Sequence, residues 1–123
     1  MRLHAPSFPA LVAEATRAFA ELVPTLLREG GEAQGGEWRE FLIEAPDRAA
    51  RLVGWLNEVI YLAEADQWLP VEVAVSERDS TMVARARGVT LGAPFVLVKA
   101  ATLHGASVRR LPEGLEAEVT LDV

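Results

Sequence analysis

The chain closes on an unbroken alternation. Leu115, Ala117, Val119, Leu121 and Val123 point one way, and Glu116, Glu118, Thr120 and Asp122 the other. A period of two places successive side chains on opposite faces of an extended strand, so one face of this segment must meet a core. The same pattern recurs upstream. Val71, Val73 and Val75 alternate with Glu72, Ala74 and Ser76, and Met82 to Val89 forms the next strand, with Arg85 and Arg87 on one face. Glu77 to Ser80 and Pro112-Glu113-Gly114 supply the turns. Val108 to Leu111 is a further short strand. Phe95 to His104, after Pro94, is apolar on both faces, which predicts a central strand covered on both sides.

The first half carries helical spacing. Arg2 to Ala5 is a short strand, Ser7 an N-cap, and Pro9 is tolerated in a first helical turn. Phe8, Leu11, Val12, Ala15, Phe19, Leu22, Val23 and Leu26 then form one apolar stripe, predicting a helix over Ser7–Arg28 with a kink or break at Pro24. Gly30 to Glu37, with four glycines, predicts a mobile loop, and Trp38 to Ala45 a strand. Pro46 and Asp47 open a second helix, Asp47–Ala65, where the negative charge of Asp47 suits the positive helix end. Its stripe is Ala49, Leu52, Val53, Leu56, Val59, Ile60 and Ala63; Glu58 projects nearly opposite, with Asn57 and Trp55 on the flanks. The order strand, helix, strand, helix, then four or five strands predicts one α+β domain over residues 1–123. Two helices pack on one face of a mainly antiparallel sheet.

Composition narrows the chemistry. Half the residues are apolar, enough for a real interior, and cysteine is absent, which removes disulfides and thiolate sites. No apolar run reaches the roughly 18 residues of a membrane span, and the start has no signal-peptide core. A cytoplasmic protein without a membrane partner is the expectation. Net charge is −6, and the eleven arginines are scattered, so direct nucleic-acid binding is disfavoured.

His4 and His104 are the only histidines; no triad or histidine-carboxylate metal motif is present, and an enzyme is not expected. Lys99 is the only lysine, set in a strand of apolar residues. A lysine buried there must pair, snorkel or lose its proton, and either a structural ion pair or a functional role satisfies that. A direct Lys99–His104 partnership requires a bulge, because strict alternation puts the two on opposite faces. Asp122 lies on the polar face of the last strand with Glu118 and Glu116, either as a solvated face or as the beginning of an oxygen site for Ca²⁺ or Mg²⁺.

Several segments together resemble the archease family. Ala5-Pro6-Ser7-Phe8-Pro9-Ala10-Leu11 is similar to the family's entry into its first helix, and Glu44-Ala45-Pro46-Asp47 to its lead into the second. Trp55-Leu56-Asn57-Glu58-Val59-Ile60-Tyr61 is the stronger match. Lys99-Ala100-Ala101-Thr102-Leu103-His104 resembles the family's Lys-Ala-Val-Thr-Tyr-His with two substitutions, and Leu121-Asp122-Val123 matches the family ending in kind and position. The resemblance implies an archease-like fold and a non-enzymatic partner of an RtcB-class RNA ligase. These ligases join RNA ends in tRNA splicing and RNA repair. They first guanylylate a histidine using GTP and a divalent metal, and archeases promote that step and permit repeated turnover.

In the family a metal is held by an Asp in an N-terminal His-Thr-Ala-Asp segment, an Asp near the C-terminus and the main-chain carbonyl after it. The last two carry over to Asp122 and the carbonyl of Val123. The first has no counterpart, since no Asp precedes Asp47; Arg2 to Ala5 aligns with the family's second strand, leaving the first absent and a sheet edge open. The resemblance therefore implies weak binding of Ca²⁺ or Mg²⁺ at most. It also implies a functional surface drawn from Lys99, His104, Glu58 and Asp47. Its alternative is a divergent interaction or chaperone-like module that has lost the metal.

Overall fold

The computed structural model describes residues 1–29 and 36–123, so most of the expected glycine-rich loop lies outside the described residues. The chain begins with a strand, β1 (Arg2–Ala5), and enters helix α1 (Phe8–Leu22) through Ser7, whose hydroxyl accepts from the Ala10 N–H at 3.3 Å. The helix ends at Leu22, short of the expected Arg28. Pro24 has no N–H and disfavours helical geometry at Val23, which is extended at φ −83° and ψ 122°. A 3₁₀ turn, Thr25–Leu27, follows the break. The Arg28 guanidinium reaches back to the Ala20 carbonyl at 2.8 Å, adding to the bond that carbonyl accepts from the Val23 N–H at 3.2 Å.

Strand β2 (Arg39–Glu44) leads to helix α2 (Arg48–Ala65), capped by Asp47, whose Oδ1 accepts from the Ala50 N–H at 2.8 Å. Strands β3 (Trp68–Arg78), β4 (Thr81–Thr90), β5 (Ala100–Leu111) and β6 (Gly114–Asp122) complete the α+β domain. All named pairings are antiparallel; the short turns joining β3 to β4 and β5 to β6 require it for those two.

Three expectations are corrected. The strands divide into two three-stranded sheets, β1-β6-β5 and β2-β4-β3, in place of one. Each helix touches both sheets, and a single core joins them. Trp55, expected on a flank of α2, is fully buried for the same reason: a helix in contact with two sheets buries a wider arc than one stripe. Phe95 to His104 is not a central strand. Phe95–Lys99 lies in no strand, β5 begins only at Ala100, and β5 is the edge of its sheet; β6 is the centre.

The two helices are tied through polar atoms in the core. The Trp55 indole N–H donates to Thr16 Oγ1 at 2.9 Å, and that hydroxyl donates to the Val12 carbonyl at 2.7 Å. Both side chains are buried, so the chain of bonds leaves neither group unsatisfied.

Candidate functional site: the open end of the β5–β6 hairpin

Strands β5 and β6 meet at a turn near Gly114 and open at the other end, where Ala100 stands opposite Asp122 and Ala101 opposite Leu121. The Lys99 N–H donates to the Asp122 carbonyl at 2.8 Å, so the two residues are neighbours across the hairpin mouth. Their side chains are exposed. Lys99 is thus not the buried lysine that a regular strand predicts. Phe95 and Val98, three residues apart, take the core positions of the irregular lead-in. Val96 and Leu97 face outward at 59% and 64% exposure.

Beyond Thr102 the strand bulges. Thr102 pairs with Thr120 and Ser107 with Glu118, so Leu103 to Ala106 stand opposite Val119 alone. The bulge is there, but it does not join Lys99 to His104. No hydrogen bond links them among the described residues, and the His104 N–H donates to Thr102 Oγ1 at 3.2 Å. Gly105 takes a φ of +74° inside the bulge, and Leu103, His104 and Gly105 are exposed. Leu103 and Val123 stand 60% and 79% exposed, the first in β5 and the second just past β6.

Asn57 holds this end in place. Its Oδ1 accepts from the Ala101 N–H at 2.8 Å and its Nδ2 donates to the Ala101 carbonyl at 3.0 Å. Residue reading placed Asn57 only at the margin of an apolar stripe. The usable signal was a side-chain amide there, since a group half-entering the core must find partners. Glu58 is half-exposed on α2. Asp47 is spent as the α2 cap at the far end of the molecule. Among the described residues neither joins Asp122 in a group of three possible metal ligands.

The other carboxylates of β6 are already engaged. Glu118 is bound by Arg2, with Nε at 2.8 Å. Glu116 is bound by Arg109 and, at 2.9 Å, by His4 Nε2. The Arg109 guanidinium first, and then His4, hold the Glu116 carboxyl below the usual carboxylate range. Among the described residues no three His, Cys, Asp or Glu gather around one point. A hard divalent cation takes six or more oxygens, and the Asp122 carboxylate with the Val123 carbonyl falls well short. The donor set at this corner does not fit a complete metal site. Among the described residues no helix is long and apolar enough to cross a membrane.

The model of the archease protein family (MTH1598/TM1083) matches residues 1–123. The chain is 28% identical over 102 residues to the protein archease of Methanosarcina acetivorans, covering 76% of this chain and 70% of that protein. It is similar in structure to an archease, described as a possible chaperone, from Thermotoga maritima. That TM-score is 0.66 at 18% identity, with 100% of this chain and 88% of that chain covered. Protein 1598 of Methanobacterium thermoautotrophicum gives a TM-score of 0.62 at 22% identity, covering 99% and 88%. At such identities the structural likeness shows the fold. The sequence match over every residue shows the family: this chain belongs to the archeases.

Proposed function

We propose that this chain is a non-enzymatic protein cofactor that promotes guanylylation and turnover of an RtcB-class RNA ligase. It acts through the open end of the β5–β6 hairpin in the cytoplasm. The observation that carries the reading is the corner itself. Lys99 and Asp122, which lie in two of the segments that resemble the family, are main-chain neighbours and exposed, and Leu97 and Val123, close to them in sequence, are exposed too. Exposed apolar groups around a few charges suit a protein partner. No pair of side chains at this corner offers a nucleophile with its base, which supports a role without catalysis of its own. Ca²⁺ or Mg²⁺ at Asp122 is weak, with a dissociation constant on the order of millimolar.

The test is a guanylylation assay with labelled GTP, using the RtcB-class ligase of the same organism and the chain in substoichiometric amount. The rate should rise, and Asp122→Ala should abolish the gain with its melting temperature unchanged. Lys99→Ala should reduce it. The description of the Thermotoga relative as a possible chaperone favours a second reading. A chaperone-like module would leave guanylylation unchanged while raising the yield of folded ligase.

A further inference from the structure

At the opposite end of β6, the first turns of both helices and the β5–β6 turn line an open cavity of about 210 Å³. Its two charged lining residues are both arginines, Arg48 of α2 and Arg110 of β5; Ser7 and Phe8 bring the start of α1, and Gly114 the start of β6. Among the described residues no carboxylate lines it.

The cations here exceed their partners. Arg48 and Arg51 both lie in the first turn of α2, the end where the helix dipole disfavours positive charge, and neither helix has an acidic residue in its first turn. Among the described residues Glu77 alone answers both: Arg48 Nε at 3.1 Å and Nη2 at 2.8 Å, Arg51 Nη1 at 3.0 Å. Arg51 is 7% exposed, and its Nε has no partner among the described residues. Arg110 forms no salt bridge among the described residues. The carboxylates nearest in sequence are Asp47, spent on the Ala50 N–H, and Glu113 in the turn, and neither lines the cavity.

The donors are also oriented. Arg48 sits 5.1 Å from the Phe8 ring centroid, and with Nε and Nη2 on Glu77 its Nη1 remains available. In α1, Ser7 takes up the Ala10 and Leu11 N–H groups and Pro9 has none, so the Phe8 amide is the open donor of the first turn. We infer that this cavity binds a phosphate-class oxyanion, held by the Arg48 and Arg110 guanidiniums with the Phe8 N–H. The two guanidiniums carry the inference, because planar forks match the oxygens of a phosphoryl group. The ligand is free inorganic phosphate or a phosphoryl group at the end of a nucleotide. The site lies roughly 25 Å along β6 from Asp122, so it stands apart from the proposed ligase surface.

The experiment is an amide NMR titration of the full chain with inorganic phosphate, chloride holding the ionic strength constant, repeated with guanosine 5′-monophosphate. The Phe8 amide should shift saturably. Arg110→Ala should weaken binding by about tenfold, Arg110→Lys by less, and Asp122→Ala not at all. The exposed Arg110 fills no core position, and an otherwise unchanged spectrum confirms the fold of its variants. Tighter binding of the nucleotide assigns the ligand to a nucleotide end, and equal or tighter binding of phosphate assigns it to the free ion. Shifts that stay linear and match those from chloride would overturn the site, as would wild-type affinity in Arg110→Ala.

Discussion

The two ends of β6 use their residues differently. At the Gly114 end, most charges are committed to the fold, with Arg110 an exception among the described residues. Glu116 holds Arg109 and His4, Glu77 holds Arg48 and Arg51, and Asp47 caps a helix. At the Asp122 end the backbone is fixed while the side chains are left over. Lys99 and Asp122 join through main-chain atoms, and Leu97, Leu103 and Val123 face outward. A residue that the fold does not use must be explained by something outside it or by chance. Under the proposed function, a partner would take up these unspent side chains.

Mutation can break that comparison, and glycines test it most severely. Gly114 has a φ of +148°, and a Cβ there would stand 2.5 Å from the Ala5 carbonyl oxygen. Gly114→Ala should cost about 3 kcal/mol in urea unfolding, from backbone strain and clash together. Gly105, at +74° in the bulge, has nothing within 4 Å of the added carbon. Gly105→Ala should cost about 1 kcal/mol, the strain alone. Equal losses would mean that the open end is as tightly built as the turn.

Between these falls Asn57→Ala. It strips the partners from both main-chain groups of Ala101 and should cost about 2 kcal/mol. A negligible loss would show that the backbone of the open end is held by something else. Asp122→Ala should stay within about 0.5 kcal/mol of the parent, as an exposed side chain with no core contact does. The smallest effect belongs to the turn end and appears only in acid. The Glu116 carboxyl titrates lower in the folded chain than in the unfolded one. Its contribution is complete above the ordinary carboxylate range and fades as pH falls through the folded value. Glu116→Gln should flatten that acid limb in thermal unfolding; an unchanged slope would mean the Arg109 and His4 contacts add no folding free energy.

Much of this architecture was legible in the chain, and what escaped was non-local. Helix starts at Ser7 and Asp47, the break at Pro24 and the strands flanking Glu77–Ser80 and Pro112–Gly114 all follow from local chemistry, though the first helix stops at Leu22 and does not resume. The division into two sheets does not, because alternation tells which residues face a core but not which strands are neighbours. Trp55 was misplaced through the same gap: its burial depends on a second sheet that no stripe announces. Phe95–Lys99 misled because a short apolar run satisfies a buried strand and an irregular crossing equally well. Lys99 was expected inside as a direct result. At the candidate site, Asp122 and Lys99 were visible through family likeness. The charge excess beside Arg110 was not, since Arg48, Arg110 and Phe8 are far apart in sequence and only the fold assembles them.

Asn57 has one more consequence. A side-chain amide carries one carbonyl and one N–H group in the geometry of a peptide unit, so at Ala101 it stands where the next strand of a sheet would be. An uncovered strand margin is a template on which other chains can assemble. Helix α2 therefore occupies the outer margin of β5 at that residue, and the bulge just beyond spoils the regular ladder an incoming strand would need. The chain can present leucines and a valine to a partner there without offering its backbone to every other copy of itself.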